Sequence, residues 1–171
     1  MALANPVGGY TLARNYLRAS LAASTTFQTW TGSADAAAAL SRIHLSALPP
    51  PAAGAEDYSA AEWDGYLPLA ILHTARYHSE FDSDTGYAKQ GTLVIHLLGA
   101  VAEAKHDLPG EAGRDFDNVI GGIIADLESR ANQAGYLTVK SIDMPEEPER
   151  GPIDEEDTLG DVMRVNLFIG W

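Results

Sequence analysis

The sequence predicts an α+β domain: a largely antiparallel sheet covered by one long helix, with an N-terminal helix and two long loops. Three observations carry this. Arg114–Ala134 places Phe116, Val119, Ile120, Ile123, Leu127 and Ala131 at helical spacing, which makes one apolar stripe. Val162–Trp171 alternates Met163, Val165, Leu167, Ile169 and Trp171 with Arg164, Asn166 and Gly170, the period of a strand with one buried face. Gly91–Val101 carries Leu93, Val94, Ile95, Leu97 and Leu98, apolar on both faces and so expected centrally in a sheet.

Taken in order, Tyr10–Ala23 reads as a helix with Ala13, Tyr16, Leu17 and Leu21 on one face and Arg14 and Arg18 on the other. Ser24-Thr25-Thr26 interrupts it, and Phe27 and Trp30 anchor a short turn. Ser33 is a suitable N-cap for a brief helix, Ala34–Leu40. Arg42–Leu48 reads as a strand that Pro49-Pro50-Pro51 stops. Pro49–Gly65 is a long loop rich in Pro, Ala and Gly. Leu69–Tyr77 is the next strand, with Pro68 at its start, and Asp82–Gly86 turns the chain into Gly91–Val101. His106–Gly113 leads into the long helix. There Asp115 and Asp117 suit the positive end of the helix dipole, while Asp117, Asp126, Glu128 and Asn132 face away from the stripe. Gly135 stands where a left-handed cap is wanted. Gly121-Gly122 costs roughly 1 kcal/mol per glycine against alanine, which suggests a close backbone approach. Tyr136–Asp143 is a strand of mixed faces, and Asp143–Asp161 is a loop broken by Pro145, Pro148 and Pro152.

The 171 residues fit one domain, 1–171, with loops 49–65 and 143–161 as extensions. There is no cysteine, which excludes disulfides, thiolate metal sites and a thiol nucleophile. The start, MALANPVGGY, lacks the pattern of a signal peptide. No apolar run approaches the roughly 20 residues of a membrane span, so a soluble protein made in the cytoplasm is expected. Net charge is −13, which rules out gripping nucleic-acid phosphates through a general basic surface. The charge is uneven: Asp143–Asp161 holds nine acids against Arg150 alone, or −8.

No linear motif defines a catalytic centre. Asp84-Thr85-Gly86 matches the aspartic-protease triplet, but that chemistry needs two carboxylates sharing a proton in an apolar cradle. Between two strands the triplet reads as a hairpin turn. Asp82, Asp84 and Gly86 resemble part of a calcium loop without its closing glutamate. His44, His73, His78, His96 and His106 form no HExxH pair or facial metal spacing. His44, His73 and His96 fall in strands, where they converge on a site or serve as buried, hydrogen-bonded rings. GxSxG, P-loop and GxGxxG sequences are absent, and no context makes Ser33 or Ser59 a nucleophile. No cofactor is expected.

The layout resembles the tail terminator family of long-tailed bacteriophages, also called tail completion or neck-region proteins. The shared pattern is an N-terminal helix, a short helical turn and a strand ending in Leu48-Pro49. A two-stranded unit with Gly91-Thr92-Leu93-Val94-Ile95 follows. After it come a long helix, Tyr136-Leu137-Thr138-Val139, and a closing strand ending in an aromatic, Trp171. The resemblance implies a non-catalytic virion protein of the neck and tail, found in the host cytoplasm during assembly. Such proteins form a homo-oligomer, usually a hexameric ring. It caps the tail tube and meets the head connector or stopper proteins, with double-stranded DNA passing through unbound and no membrane contact. The open edge strands, the two-faced Gly91–Val101 and Trp171 suit such neighbours, and both long loops are expected to order against them. The candidate interaction residues are Glu146, Glu147, Glu149, Asp154, Glu155, Glu156 and Asp157. In a ring they repel passing DNA, dock on a basic rim, or remain a solvated surface. Two alternatives stand beside this: a stopper or head-completion protein, and a small ligand-binding or enzymatic α+β domain using the histidines.

Overall fold

A computed structural model describes residues 8–82, 86–135, 137–152 and 161–171. The long helix, α5, runs Pro109–Glu128, five residues earlier than the periodicity suggests. Pro109 opens it, because a first-turn proline loses no intrahelical bond and has φ preset for the helix. His106–Gly113 is therefore a 3-10 turn flank and the first helical turn, not a loop. The helix ends six residues earlier than expected, with Ser129 outside it, so Ala131 is exposed and Gly135 (φ +60°) serves a later turn.

The core follows from the two periods. Ala112, Phe116, Ile120, Ile123 and Leu127 are buried along α5. They share one cluster with Leu93, Ile95 and Leu97 of β3 (Gly86–Ala100) and Val165, Leu167 and Ile169 of β6 (Asp161–Gly170). Burying each such leucine or isoleucine is worth roughly 1.5–3 kcal/mol. Helix α1 (Gly9–Ala23) contributes Leu17 and Leu21 to that cluster, and α2 (Thr25–Trp30) contributes Phe27.

Helix α2 crosses α5. Ser24 caps it locally, accepting from Phe27 N–H at 3.0 Å. Asp126 completes the cap: one carboxylate oxygen accepts from the Ser24 hydroxyl at 2.7 Å and from Thr26 N–H at 3.0 Å. Asp126, off the apolar stripe, thus faces a helix end. Burial pushes its carboxyl pKa up, but the hydrogen bonds from Thr26, Ser24 and Thr25 outweigh that and hold it below the usual value. Gly122 is where the helices meet, since a Cβ there would lie 2.7 Å from Thr26 Cγ2. The close approach comes from a side chain at Gly122 alone; around Gly121 there is open space.

The sheet has six strands in the order β1–β2–β3–β6–β4, with β5 also on β6. Strand β1 (Ile43–Leu45) is parallel to β2 (Leu69–Asp82), and every other pair is antiparallel. Several boundaries differ from the expected ones. Strand β1 is three residues long, because Arg42 lies in a 3-10 turn and Ser46 has φ 71°. Helix α3 (Ala36–Ala39) is capped by Asp35, whose carboxylate accepts from Ala38 N–H at 2.8 Å; Ser33 instead pairs with the Thr31 hydroxyl. The 49–65 segment is not all loop: Ser59 and Glu62 form a capping box that starts α4 (Ala60–Tyr66). Among the described residues of the expected strand 136–143, Ser141–Asp143 forms β4 and pairs with β6. The acidic segment contains β5 (Glu149–Pro152), which pairs with β6 and is pinned where Arg150 Nε donates to Asp161 at 2.8 Å.

Strands β2 and β3 are longer than expected and stay paired from Leu69↔Leu98 to Asp82↔Gly86. Asp84 and Thr85 of the expected turn lie outside the described residues. Strand β6 covers β3 only from Thr92 to Ala100, and β1 covers β2 only from Ala70 to Leu72. Beyond Tyr77↔Gly91 the two strands form a ribbon past the body of the sheet. Its five further rungs span about 17 Å. Trp171 closes the base of the ribbon, exchanging main-chain hydrogen bonds with Gly91 and laying its indole where a Cβ on Gly91 would be. This places most of Trp171 in the chain's own core.

Candidate functional site: the half-open face of the sheet

The helices α1, α2 and α5 cover one face of the sheet. Strand alternation turns the other set of side chains to the second face. Pairing makes rows across it: Arg76, Thr92 and Gly170; His73, Val94 and Phe168; Ile71, His96 and Asn166; Leu69, Leu98 and Arg164. At one end α4 packs over the face, with Trp63 and Tyr66 against Leu67, Leu69 and Val162. The rest of the face has no helix on it among the described residues.

The histidines expected to converge do so only in part. His73 and His96 touch edge to face, with ring centroids 4.6 Å apart. His44 lies beside Ile71 on β1 and meets the ring of Tyr66 instead, at 5.8 Å. Burial lowers the pKa of His96, the neighbouring His73 lowers it further, and a hydrogen bond with Asn166 opposes them. Burial, then Arg18 and Arg42, lowers that of His44. Both rings are therefore neutral near pH 7. Among the described residues no three His, Cys, Asp or Glu side chains are placed to hold a metal ion. His106 lies apart, its Nε2 3.2 Å from the Val101 carbonyl oxygen.

The face carries opposite charge at two places. Glu146, Glu147 and Glu149 surround a cavity of about 270 Å³ with His96, Arg164 and Asn166. Arg164 Nε donates to Glu149 at 3.1 Å, and both groups are exposed. Three of the candidate interaction residues are thus brought together; Asp154, Glu155, Glu156 and Asp157 lie outside the described residues. Toward the ribbon, a notch of about 440 Å³ is lined by Arg76, His78, Gln90, Thr92, Lys140 and Ser141, with Gly91, Gly170 and Trp171. Arg76 and Lys140 are far apart in the sequence, and their approach depends on sheet order. Surface charge arranged in this way can steer and register a partner of complementary charge.

No helix among the described residues is long and apolar enough to cross a membrane. No protein-family model matches this chain, and no match is found among curated proteins.

Proposed function

We propose that this chain is a structural virion protein, a tail terminator that forms a hexameric ring, caps the tail tube and joins it to the head connector. The observation that carries the reading is the order of elements in the sequence, from the N-terminal helix to the strand ending at Trp171. Two structural features support it. The ribbon beyond Tyr77↔Gly91 presents strand edges that no strand among the described residues pairs with, a ready template for another chain. The second sheet face, with Phe168, His73 and His96 half-buried on it, is left without a covering helix among the described residues. Neighbours in a ring cover both.

Native mass spectrometry of the free protein and imaging of assembled particles test the ring. Six copies in a closed ring are expected in the particle, and a monomer in both settings refutes it. Binding to the tail tube is the expected outcome for a terminator; binding to the connector alone makes the chain a stopper or head-completion protein.

A further inference from the structure

We propose that copies of this chain dock head to tail, the acidic turn at Glu146-Glu147 of one copy seating in the basic notch beside β3 of the next. This docking rests on the ring reading above and names its interface. Two independent features of the notch point to an acidic, extended occupant. The first is charge. Arg76 and Lys140 line it, and among the described residues no Asp or Glu side chain does, in a chain of net charge −13. Among the described residues no carboxylate pairs with Arg76 or Lys140, and Lys140 reaches only Gln90 Oε1 at 3.5 Å.

The second is the main chain. Gly91 exchanges hydrogen bonds with Trp171, and alternation along an antiparallel strand turns the N–H and C=O of Lys89 and Tyr87 to that same side. Strand β6 has ended there, so those groups have no strand to pair with among the described residues. An extended segment entering the notch therefore finds main-chain partners beside Arg76 and Lys140, which no carboxylate among the described residues neutralises.

The acidic turn is the complement carried by the same chain. Glu146 and Glu147 are exposed and have no cation partner among the described residues, whereas Glu149 is held by Arg164. The turn does not reach its own notch. The two sites lie four residues apart along β3, at Thr92 and His96, which is about 13 Å. A contact between two different patches is heterologous, so each copy keeps one free notch and one free turn, and the chain of contacts ends only by closing a ring.

The test uses the full chain in three forms: wild type, Arg76→Glu with Lys140→Glu, and Glu146→Lys with Glu147→Lys. All four positions are exposed, so the fold should survive, and circular dichroism melts check this. Sedimentation velocity reads the assembly. Wild type should associate, with affinity falling at least about tenfold between low and high salt as exposed charges are screened. Each variant alone should sediment as a monomer. An equimolar mixture of the two should regain the oligomer, since both junctions are complementary again. If both variants assemble like wild type, the interface lies elsewhere: the docking is wrong and the ring reading stands. Loss in each variant without recovery in the mixture also overturns the pairing of these two patches. A wild-type chain that stays monomeric at every concentration overturns self-docking; the ring reading then falls only if assembled particles also lack a ring.

Discussion

Replacing Gly121 by alanine and replacing Gly122 by alanine should move stability in opposite directions, although the residues are neighbours in the same helix. In a helix interior the change from glycine to alanine gains about 0.8–1.0 kcal/mol. At Gly121 nothing lies within 4 Å of the new Cβ, so the gain is kept whole. At Gly122 the new Cβ would sit 2.7 Å from Thr26 Cγ2, 2.8 Å from its Oγ1 and 3.2 Å from its Cβ. Rotating the threonine relieves the first two contacts but not the third, and it gives up the hydroxyl's hydrogen bond to Asp126. Overpacking of this kind costs about 1–3 kcal/mol, which cancels the propensity gain and leaves a net loss of up to about 2 kcal/mol. In a chain of this size 1 kcal/mol moves Tm by about 2–4 °C. Gly121→Ala should therefore raise Tm by about 2–4 °C, while Gly122→Ala lowers it by up to about 8 °C. Thermal and urea melts followed by circular dichroism read both. Adding Thr26→Ala to Gly122→Ala should give a double variant better than the sum of the singles by at least about 0.5 kcal/mol. Equal gains at the two glycines would mean that α2 and α5 do not cross there.

Leu127 is fully buried under the sheet, so Leu127→Ala should cost about 2–5 kcal/mol in a urea melt; a loss below about 0.5 kcal/mol, typical of surface sites, would place the helix differently. His44 and His96 both titrate below their ordinary value of 6.5. The unfolded chain then takes up protons first as the pH drops. The stability their neutral rings contribute is complete above 6.5 and drains as pH falls from 6.5 toward the lower folded values. Melts across that window should show Tm falling toward acid, with a shallower slope in His96→Gln. Parallel slopes for the two proteins would remove His96 from the cause.

Where a pattern is periodic and local, the sequence shows it. The stripe from Phe116 to Leu127 and the alternation from Met163 to Ile169 identify the cover helix and a sheet strand, and both pack as that pattern requires. Ends are less legible, because competing local signals share the same residues. Pro109 announces a helix start, but Gly110 and Gly113 suggest a loop, and packing of Ala112 decides. Ser59-x-x-Glu62 is a readable capping box hidden by the proline- and glycine-rich composition around it. The face chemistry is another matter. Arg76 and Lys140 share a notch only because β6 stops at Gly170 while β3 continues past it, and His73 meets His96 only in the observed register. A one-residue slip in register would turn each strand's set of side chains to the opposite face, and no local window encodes that choice.

The Asp126 carboxylate that closes the start of α2 comes from 100 residues further along the chain. That separation has a consequence for how the molecule folds. A six-residue helix does not persist alone in water, and the N–H of Thr26 finds its acceptor only once α5 exists and has docked. Closing so long a loop costs entropy before any contact repays it. During synthesis, Thr25–Trp30 waits for the ribosome to deliver a helix from the far half of the chain. Helix α2 is thus expected to complete late on the pathway, and Asp126→Asn, which weakens its cap, should hasten unfolding more than it delays folding in stopped-flow measurements.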